Sequence, residues 1–293
     1  LVASKGNRKY SSYLKDLRKI GQWETAGREK WVHTKTDAKI IIEDNGSEDN
    51  TRSTIKRLIS DIDHASLLIE DRVQSSYAAR NKGIREAEGE ILAFLDADMS
   101  VADSWLTDVV DFFEENDAKY IGCNVEMYIP EGEDTFWARY DVAMGLPVEH
   151  YLKTKQFAPT CALTIRRQII ERVGTFDQTL VSGGDKEFGK RVHDRGFQMD
   201  YDSAIVAQHP ARTTFESHFK KAMRIGKGQA QLWNRHNLAV HPLSPSRVLP
   251  PSPQRIKGRT QLSRTPLSTY IMSYLLKLVQ TVYSIRELCR RKS

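Results

Sequence analysis

Two carboxylates one residue apart, Asp96-Ala97-Asp98, close the apolar run Ile91-Leu92-Ala93-Phe94-Leu95. Such a run reads as a strand buried on both faces. In open α/β sheets, ligands bind just beyond the carboxyl ends of strands. If the chain begins to turn there, both Asp side chains point the same way and share a hard cation, Mg²⁺ or Mn²⁺. The competing role is a helix N-cap, because Asp98-Met99-Ser100 leads towards a helix that contains Trp105 and Leu106. The pair alone does not separate the two.

Three other strand ends carry chemistry of the same kind. They are Asp44 in Asp44-Asn45-Gly46-Ser47-Glu48-Asp49, Asp185 with Glu187 in Gly183-Gly184-Asp185-Lys186-Glu187, and His209 in Gln208-His209-Pro210-Ala211-Arg212. Taken singly, each has a structural explanation. Asp185 caps a helix, with Glu187 in its first turn. His209 is a buried, satisfied histidine, and Arg212 is half of a surface salt bridge. Taken together they converge, because strand ends on one edge of a parallel sheet meet in space. Several carboxylates around Arg80 and a histidine suit a metal–diphosphate ligand. The cation neutralises the phosphates, Arg80 offers a bidentate fork and His209 completes the coordination.

The elements that must position these groups are legible from periodicity. Strands are expected over 39–43, 67–69, 91–95, 120–123, 162–165 and 204–207. Helices are expected over 10–20, 54–62, 75–88, 105–115, 135–144, 167–173 and 215–232, with one more running through Phe188 and Val192. Asn45-Gly46 would ordinarily signal a hairpin. The helical spacing that follows it makes this a strand-to-helix loop instead. Alternating strands and helices predict an α/β fold: a mostly parallel, doubly wound sheet with helices on both faces.

The 293 residues suffice for a sizeable core, and 40% hydrophobic and 28% charged residues are ordinary for a globular chain. Cys123, Cys161 and Cys289 match no metal or redox spacing, which fits a reducing, cytoplasmic compartment. The net charge of +6 is uneven. From Ala239 onward ten Lys or Arg face one acid, so the first 238 residues are slightly acidic. The basic balance belongs to the tail, and nucleic acid is not an expected partner. The chain begins at Leu1 without Met, and its first strand is read as truncated.

The motifs, in their order, resemble the family-2 glycosyltransferases of GT-A fold. The resemblance covers roughly residues 2–233. It rests on Asp44-Asn45-Gly46-Ser47-x-Asp49, Ala79-Arg80-Asn81-x-Gly83, Phe94-Leu95-Asp96-Ala97-Asp98, Gly174-x-Phe176-Asp177, Gly183-Gly184-Asp185-x-Glu187 and His209-Pro210-x-Arg212. It implies an inverting hexosyltransferase fed by a nucleoside-diphosphate sugar, a UDP-sugar first, in cell-envelope or polysaccharide synthesis. By the same resemblance Ser4, Asn7 and Asp44 hold the nucleotide, while Arg80 and Arg212 contact base or diphosphate. Asp96 approaches ribose and metal, Asp98 and His209 ligate the metal, and Asp185 is the catalytic base, with Glu187 next in line. The family's acidic pair before the helix appears here as Gly184-Asp185. Leu232 replaces the Arg of the Gln-x-x-Arg-Trp motif of processive members, so transfer of a single sugar is expected. Two alternatives stand beside this: a nucleotidyltransferase that makes the nucleotide sugar, and a non-catalytic nucleotide-sugar-binding protein.

Residues 1–238 are then the GT-A domain, and 239–266, with its prolines and basic residues, is a linker. Residues 267–293 form an amphipathic C-terminal helix with the stripe Ile271, Tyr274, Leu275, Leu278, Val279, Val282 and Ile285. That stripe either packs on the domain or lies on anionic lipid at the inner face of the membrane. The second outcome suits a lipid-linked acceptor; the expected acceptor is a glycan or a lipid-linked one.

Overall fold

The computed structural model describes residues 2–4, 38–252 and 266–290. The expected helix over 10–20, the remainder of the first loop and Asn7 lie outside the described residues.

One eight-stranded sheet carries the molecule. Its strands are β1 (Val2–Ser4), β2 (Ile40–Asp44), β3 (Ala65–Ile69), β4 (Ile91–Asp96), β5 (Ser100–Val101), β6 (Tyr120–Tyr128), β7 (Leu163–Arg166) and β8 (Asp200–Pro210), in the spatial order β3-β2-β1-β4-β7-β6-β8-β5. The first four run parallel. Among the described residues, the helices between them are α1 (Thr51–Leu58) and α2 (Ser76–Glu86). β2 and β4 are apolar without alternation because both faces are covered: Ile40, Ile41 and Ile42, and Leu92, Ala93 and Phe94, are all buried.

The sheet is mostly parallel, as the alternation predicts, with two antiparallel insertions. After β6 the chain makes an excursion through α4 (Phe136–Met144) and α5 (Val148–Lys155). It re-enters from the end it left, so β7 runs antiparallel to both β6 and β4. The second insertion is β5, two residues long, whose Ser100 and Val101 pair antiparallel with Gln208 and Ala207 of β8. α3 (Trp105–Glu115) starts later, at an N-cap Ser104. The N-cap role for Asp98 is therefore corrected: the residues after it form a strand, and the helix is capped elsewhere.

The main core lies between the sheet and its helices, built on Phe94, Phe113, Tyr120, Ile165, Phe188 and Ile205. α6 (Arg167–Val173) and α7 (Gly184–Asp194) follow β7. After β8 comes the long α8 (Phe215–His236), and α9 (Leu267–Arg290) packs along it. Between them, residues 240–252 are strapped down where a linker is expected. Arg247 is buried and donates to the Val240 and His241 carbonyls and to Gln229 Oε1. From α9, Lys277 Nζ donates to the carbonyls of Ser246 and Leu249.

α9 meets α8 backbone to backbone. A Cβ added at Gly226 would stand 2.3 Å from the Gln280 carbonyl oxygen. The buried residues of α9 are Thr269, Leu276, Thr281 and Ser284, with Met272 and Val279 packed against the cluster of Tyr140, Ala222 and Leu276. Part of the expected apolar stripe points outward: Ile271 and Leu275 are each 47% exposed and Val282 is 61% exposed.

Candidate active site

The strand β5 decides what Asp98 does. Its pairing draws the chain after Asp98 against the end of β8, where His209 stands. One side-chain ligand atom from each of Asp96, Asp98 and His209 then lies within 4.8 Å of the others. His209 is buried, and its Nδ1 lies 2.8 Å from the Pro210 carbonyl oxygen. A carbonyl only accepts, so Nδ1 carries a hydrogen, and Nε2 is the nitrogen left to face a metal. Two hard carboxylates and one imidazole suit Mn²⁺ or Mg²⁺. The donor set present thus fits a divalent cation.

Arg80 projects from α2 into the same space and donates from Nη2 to Asp96 Oδ1 at 2.7 Å. Its guanidinium is buried over the Tyr77 ring. Burial works against its charge, but Asp96, Tyr77, Glu43 and Asp185 hold its pKa above the ordinary value. α2 itself is fixed by its neighbours in the motif. Asn81 donates to the Phe176 carbonyl at 2.8 Å and accepts from the Phe176 N–H at 3.0 Å. The Gly174-x-Phe176-Asp177 segment is the socket for Asn81, and Phe176 stacks between Tyr77, Phe94 and Phe188.

Asp185 lies in the first turn of α7, after Gly183 at φ +84°, a left-handed conformation that favours glycine. It is not the N-cap. Gly184 fits where it does because it has no side chain: a Cβ would stand 2.7 Å from the Tyr77 ring, whose hydroxyl accepts the Gly184 N–H at 2.8 Å. Asp185 Oδ1 accepts the Lys186 N–H at 2.9 Å. Burial raises the Asp185 pKa, against the pull of that N–H and of Arg80 and Arg224. A carboxyl raised in this way holds a proton more readily than a solvated one.

Glu187, the second candidate base, is elsewhere. It is buried in a bidentate pair with Arg191, with Nε–Oε1 at 2.6 Å and Nη2–Oε2 at 2.8 Å. Arg191 also donates to the Val173 and Thr175 carbonyls. Glu187 therefore holds α7 against the end of α6, and both its oxygens are engaged. Its spacing to Arg191, four residues along a helix, was the visible signal.

Asp44 is fully buried at the end of β2. Its Oδ2 accepts from the Ser47 N–H at 3.1 Å and Arg52 Nε at 2.7 Å, while Oδ1 has no partner. Burial raises its pKa, but those donors outweigh it and leave the carboxyl below its ordinary value. An ionised, half-satisfied oxygen suits a ligand donor such as a base N–H. The loop is braced by Asn45, which donates to the Glu70 and Val73 carbonyls, and it turns at Gly46 with φ +71°. The Ser4 backbone lies in register with Asp96 and Glu43, between the two carboxylate-bearing strands.

Arg212 is tied to a residue the sequence did not single out. Asp141, buried in α4, accepts on Oδ2 from the Arg212 N–H at 2.8 Å and from its Nη1 at 3.1 Å. Lys221 Nζ and His218 Nδ1 lie 3.7 Å and 3.9 Å from Asp141 Oδ1. Burial raises the Asp141 pKa, yet Lys221, Arg212 and the Arg212 N–H hold it far below the ordinary carboxylate range. His218, buried against Trp137 and Tyr140, has its pKa lowered by burial.

Residues 24–174 match the model of the family described as Glycosyl transferase family 2. This chain belongs to that family. Among curated proteins, it is 37% identical over 202 residues to the glycosyltransferase AglE of Haloferax volcanii, a match spanning 69% of this chain and 66% of AglE. It is 27% identical over 174 residues to the pre-mycofactocin glycosyltransferase of Mycobacterium tuberculosis, covering 57% of this chain and 36% of the relative. The matches thus span less than two thirds of these relatives. Among solved structures, the mannosyltransferase PcManGT of Pyrobaculum calidifontis, in complex with GDP-Man and Mn²⁺, aligns with a TM-score of 0.60 at 14% identity over 98% of this chain and 86% of its own. Staphylococcus aureus TarS 1–349, in complex with UDP-GlcNAc, aligns with a TM-score of 0.55 at 14% identity over 99% and 90%. The family member thus has the GT-A fold its motifs imply, with the C-terminal helix in place. No helix among the described residues is long and apolar enough to cross a membrane.

Proposed function

We propose that this protein transfers one sugar per encounter, with inversion, from a nucleoside-diphosphate sugar to a hydroxyl on a glycan or lipid-linked acceptor. A UDP-sugar is the first donor to test. The observation that carries the reading is the meeting of Asp96, Asp98 and His209 within 4.8 Å, beside the buried Arg80. The GDP-Man, Mn²⁺ and UDP-GlcNAc bound by the two structural neighbours support a metal–diphosphate donor site of this kind.

A divalent cation held by Asp96, Asp98 and His209 would neutralise charge developing on the leaving diphosphate. Arg80 and Arg212 contact the diphosphate oxygens, and the Asp44 oxygen without a partner receives an N–H of the base. Asp185 takes the proton of the acceptor hydroxyl. The hydroxyl oxygen bonds to the anomeric carbon from the face opposite the diphosphate, and the bonding pair of the broken C–O link leaves with it. Inversion follows from that single displacement. The raised pKa of Asp185 matches it to a proton accepted late in the step.

The outward stripe of α9, with Leu267 also 73% exposed, supports peripheral contact with anionic lipid at the inner, cytoplasmic face of a membrane. A screen of nucleotide sugars with Mn²⁺, following donor hydrolysis by the wild type, Asp98→Ala and Asp185→Asn, tests the whole. Metal-dependent turnover of one donor is expected, lost in Asp98→Ala. If no donor is bound or hydrolysed with metal, the proposal falls. If Asp185→Asn retains full transfer, the base is another residue.

A further inference from the structure

The face that α8 turns towards the site carries a cation, Arg224, with no hydrogen-bonded or ion-pair partner among the described residues. Lys221, Arg224 and Gly228 follow one another along that face at helical spacing. Its two ends are fixed by contacts. Lys221 reaches Asp141, which also holds Arg212. Gly228 lies so close to Ser182 that an added Cβ would stand 2.4 Å from the Ser182 carbonyl oxygen. Arg224 is therefore held between the Asp141–Arg212 group and the loop that delivers Asp185. It is exposed, and among the described residues it makes no hydrogen bond or ion pair. Its charge is nevertheless felt by both Asp185 and the Tyr77 hydroxyl.

An arginine so placed opposes the base, because a nearby positive charge makes a carboxylate less willing to take a proton. An oxyanion from a substrate would relieve that conflict and fill the empty fork. The donor diphosphate already has Arg80, Arg212 and the Asp96, Asp98 and His209 cluster. That leaves the α8 side of Asp185 open to the other substrate.

We propose that Arg224 is a specificity-determining residue of the acceptor subsite: it binds an anionic group, a phosphate or a carboxylate, carried by the acceptor near the hydroxyl that reacts. The preferred acceptor is then anionic, and a neutral analogue lacks its anchor. This rests on the transferase reading above.

The test uses donor hydrolysis, in which water stands in for the acceptor, by the full chain at fixed free Mg²⁺. Phenyl phosphate and benzoate are the probes, and phenol is the neutral control. Phenyl phosphate or benzoate is expected to inhibit the donor-loaded protein without competing with the donor, whereas phenol has little effect. Arg224→Gln should weaken that inhibition by at least about tenfold while leaving the donor KM within about twofold. Arg224→Lys should retain part of it. Inhibition purely competitive with the donor would assign Arg224 to the donor phosphates and overturn the proposal. So would an inhibition constant unchanged in Arg224→Gln, or equal inhibition by phenol. A wild type that hydrolyses no donor refutes the transferase reading itself and takes this inference with it.

Discussion

Replacing Asp141 by Asn tests the charge cluster behind Arg212 with almost no change of shape. Asp141 is 4% exposed; the Arg212 N–H and Arg212 Nη1 donate to its Oδ2, and Lys221 Nζ stands 3.7 Å from its Oδ1. Asparagine keeps one acceptor for the Arg212 N–H. Its amide N–H groups then face Lys221, donor against donor. Removing one partner of a buried ion pair costs about 3–5 kcal/mol. The Lys221 side chain is 34% exposed and turns to water, whereas Arg212, at 15%, does not. The expected loss is therefore at the lower end, about 3 kcal/mol, which lowers Tm by roughly 6–12 °C. Reversible urea unfolding across pH is the assay. Asp141 has a pKa depressed by folding, so its stabilisation is complete above the unfolded value near 4 and fades as pH falls towards the folded one. The gap between wild type and Asp141→Asn should accordingly be constant near neutrality and shrink below about pH 4. A cycle with Arg212→Gln should give a coupling of about 0.5–3 kcal/mol. A loss below about 1 kcal/mol, or a gap that ignores pH, would refute the account.

Four further outcomes follow from the geometry. Asp98→Ala and His209→Ala should each weaken Mn²⁺ binding at least about tenfold in an electron paramagnetic resonance titration, with Glu187→Gln close to wild type; undiminished binding in both alanine variants would dissolve the metal cluster. The acid limb of the transfer rate should lie above the ordinary aspartate range, because burial raises the Asp185 pKa and the base works only when ionised; a limb at or below the ordinary value counts against Asp185. Gly226→Ala should part α8 from α9, since its Cβ would meet the Gln280 carbonyl at 2.3 Å, at a cost of about 1–3 kcal/mol by thermal unfolding; an unchanged Tm would show the contact to be loose. Paired Ile271→Asp and Leu275→Asp changes should abolish co-sedimentation with phosphatidylglycerol vesicles, and equal sedimentation would remove the membrane contact from the proposal.

Most of the site's framework was legible because its motifs are local. Asn45-Gly46 and Gly183-Gly184 announce loops that need left-handed residues, and Gly46 and Gly183 do adopt positive φ. Long apolar runs announce buried strands, and β2 and β4 are buried as read. What escaped is long-range. Asp141 is one acid in an otherwise ordinary helix, and its partner Arg212 lies 71 positions away. β5 is two residues long, below any periodic signal, yet it brings Asp98 to His209. Periodicity showed which residues of α9 share a stripe, but not which way the stripe faces. The buried side of α9 includes the small side chains Thr281 and Ser284, and Thr281 sets its hydroxyl on the Arg247 carbonyl. The direction of β7 was equally invisible, since a short apolar strand reads the same in either sense.

The place of β1 has a consequence in time. Val2–Ser4 lies in the middle of the parallel half of the sheet, hydrogen-bonded to β2 on one side and β4 on the other. A ribosome delivers roughly 5–20 residues each second, so β1 waits several seconds for the strand that ends in Asp96. His209, which completes the cluster, arrives later still. Closing such distant pairings is slow compared with forming helices. The strand that ends in Asp44 therefore leaves the ribosome well before the one that carries His209, and β4, which ends in Asp96, comes between them.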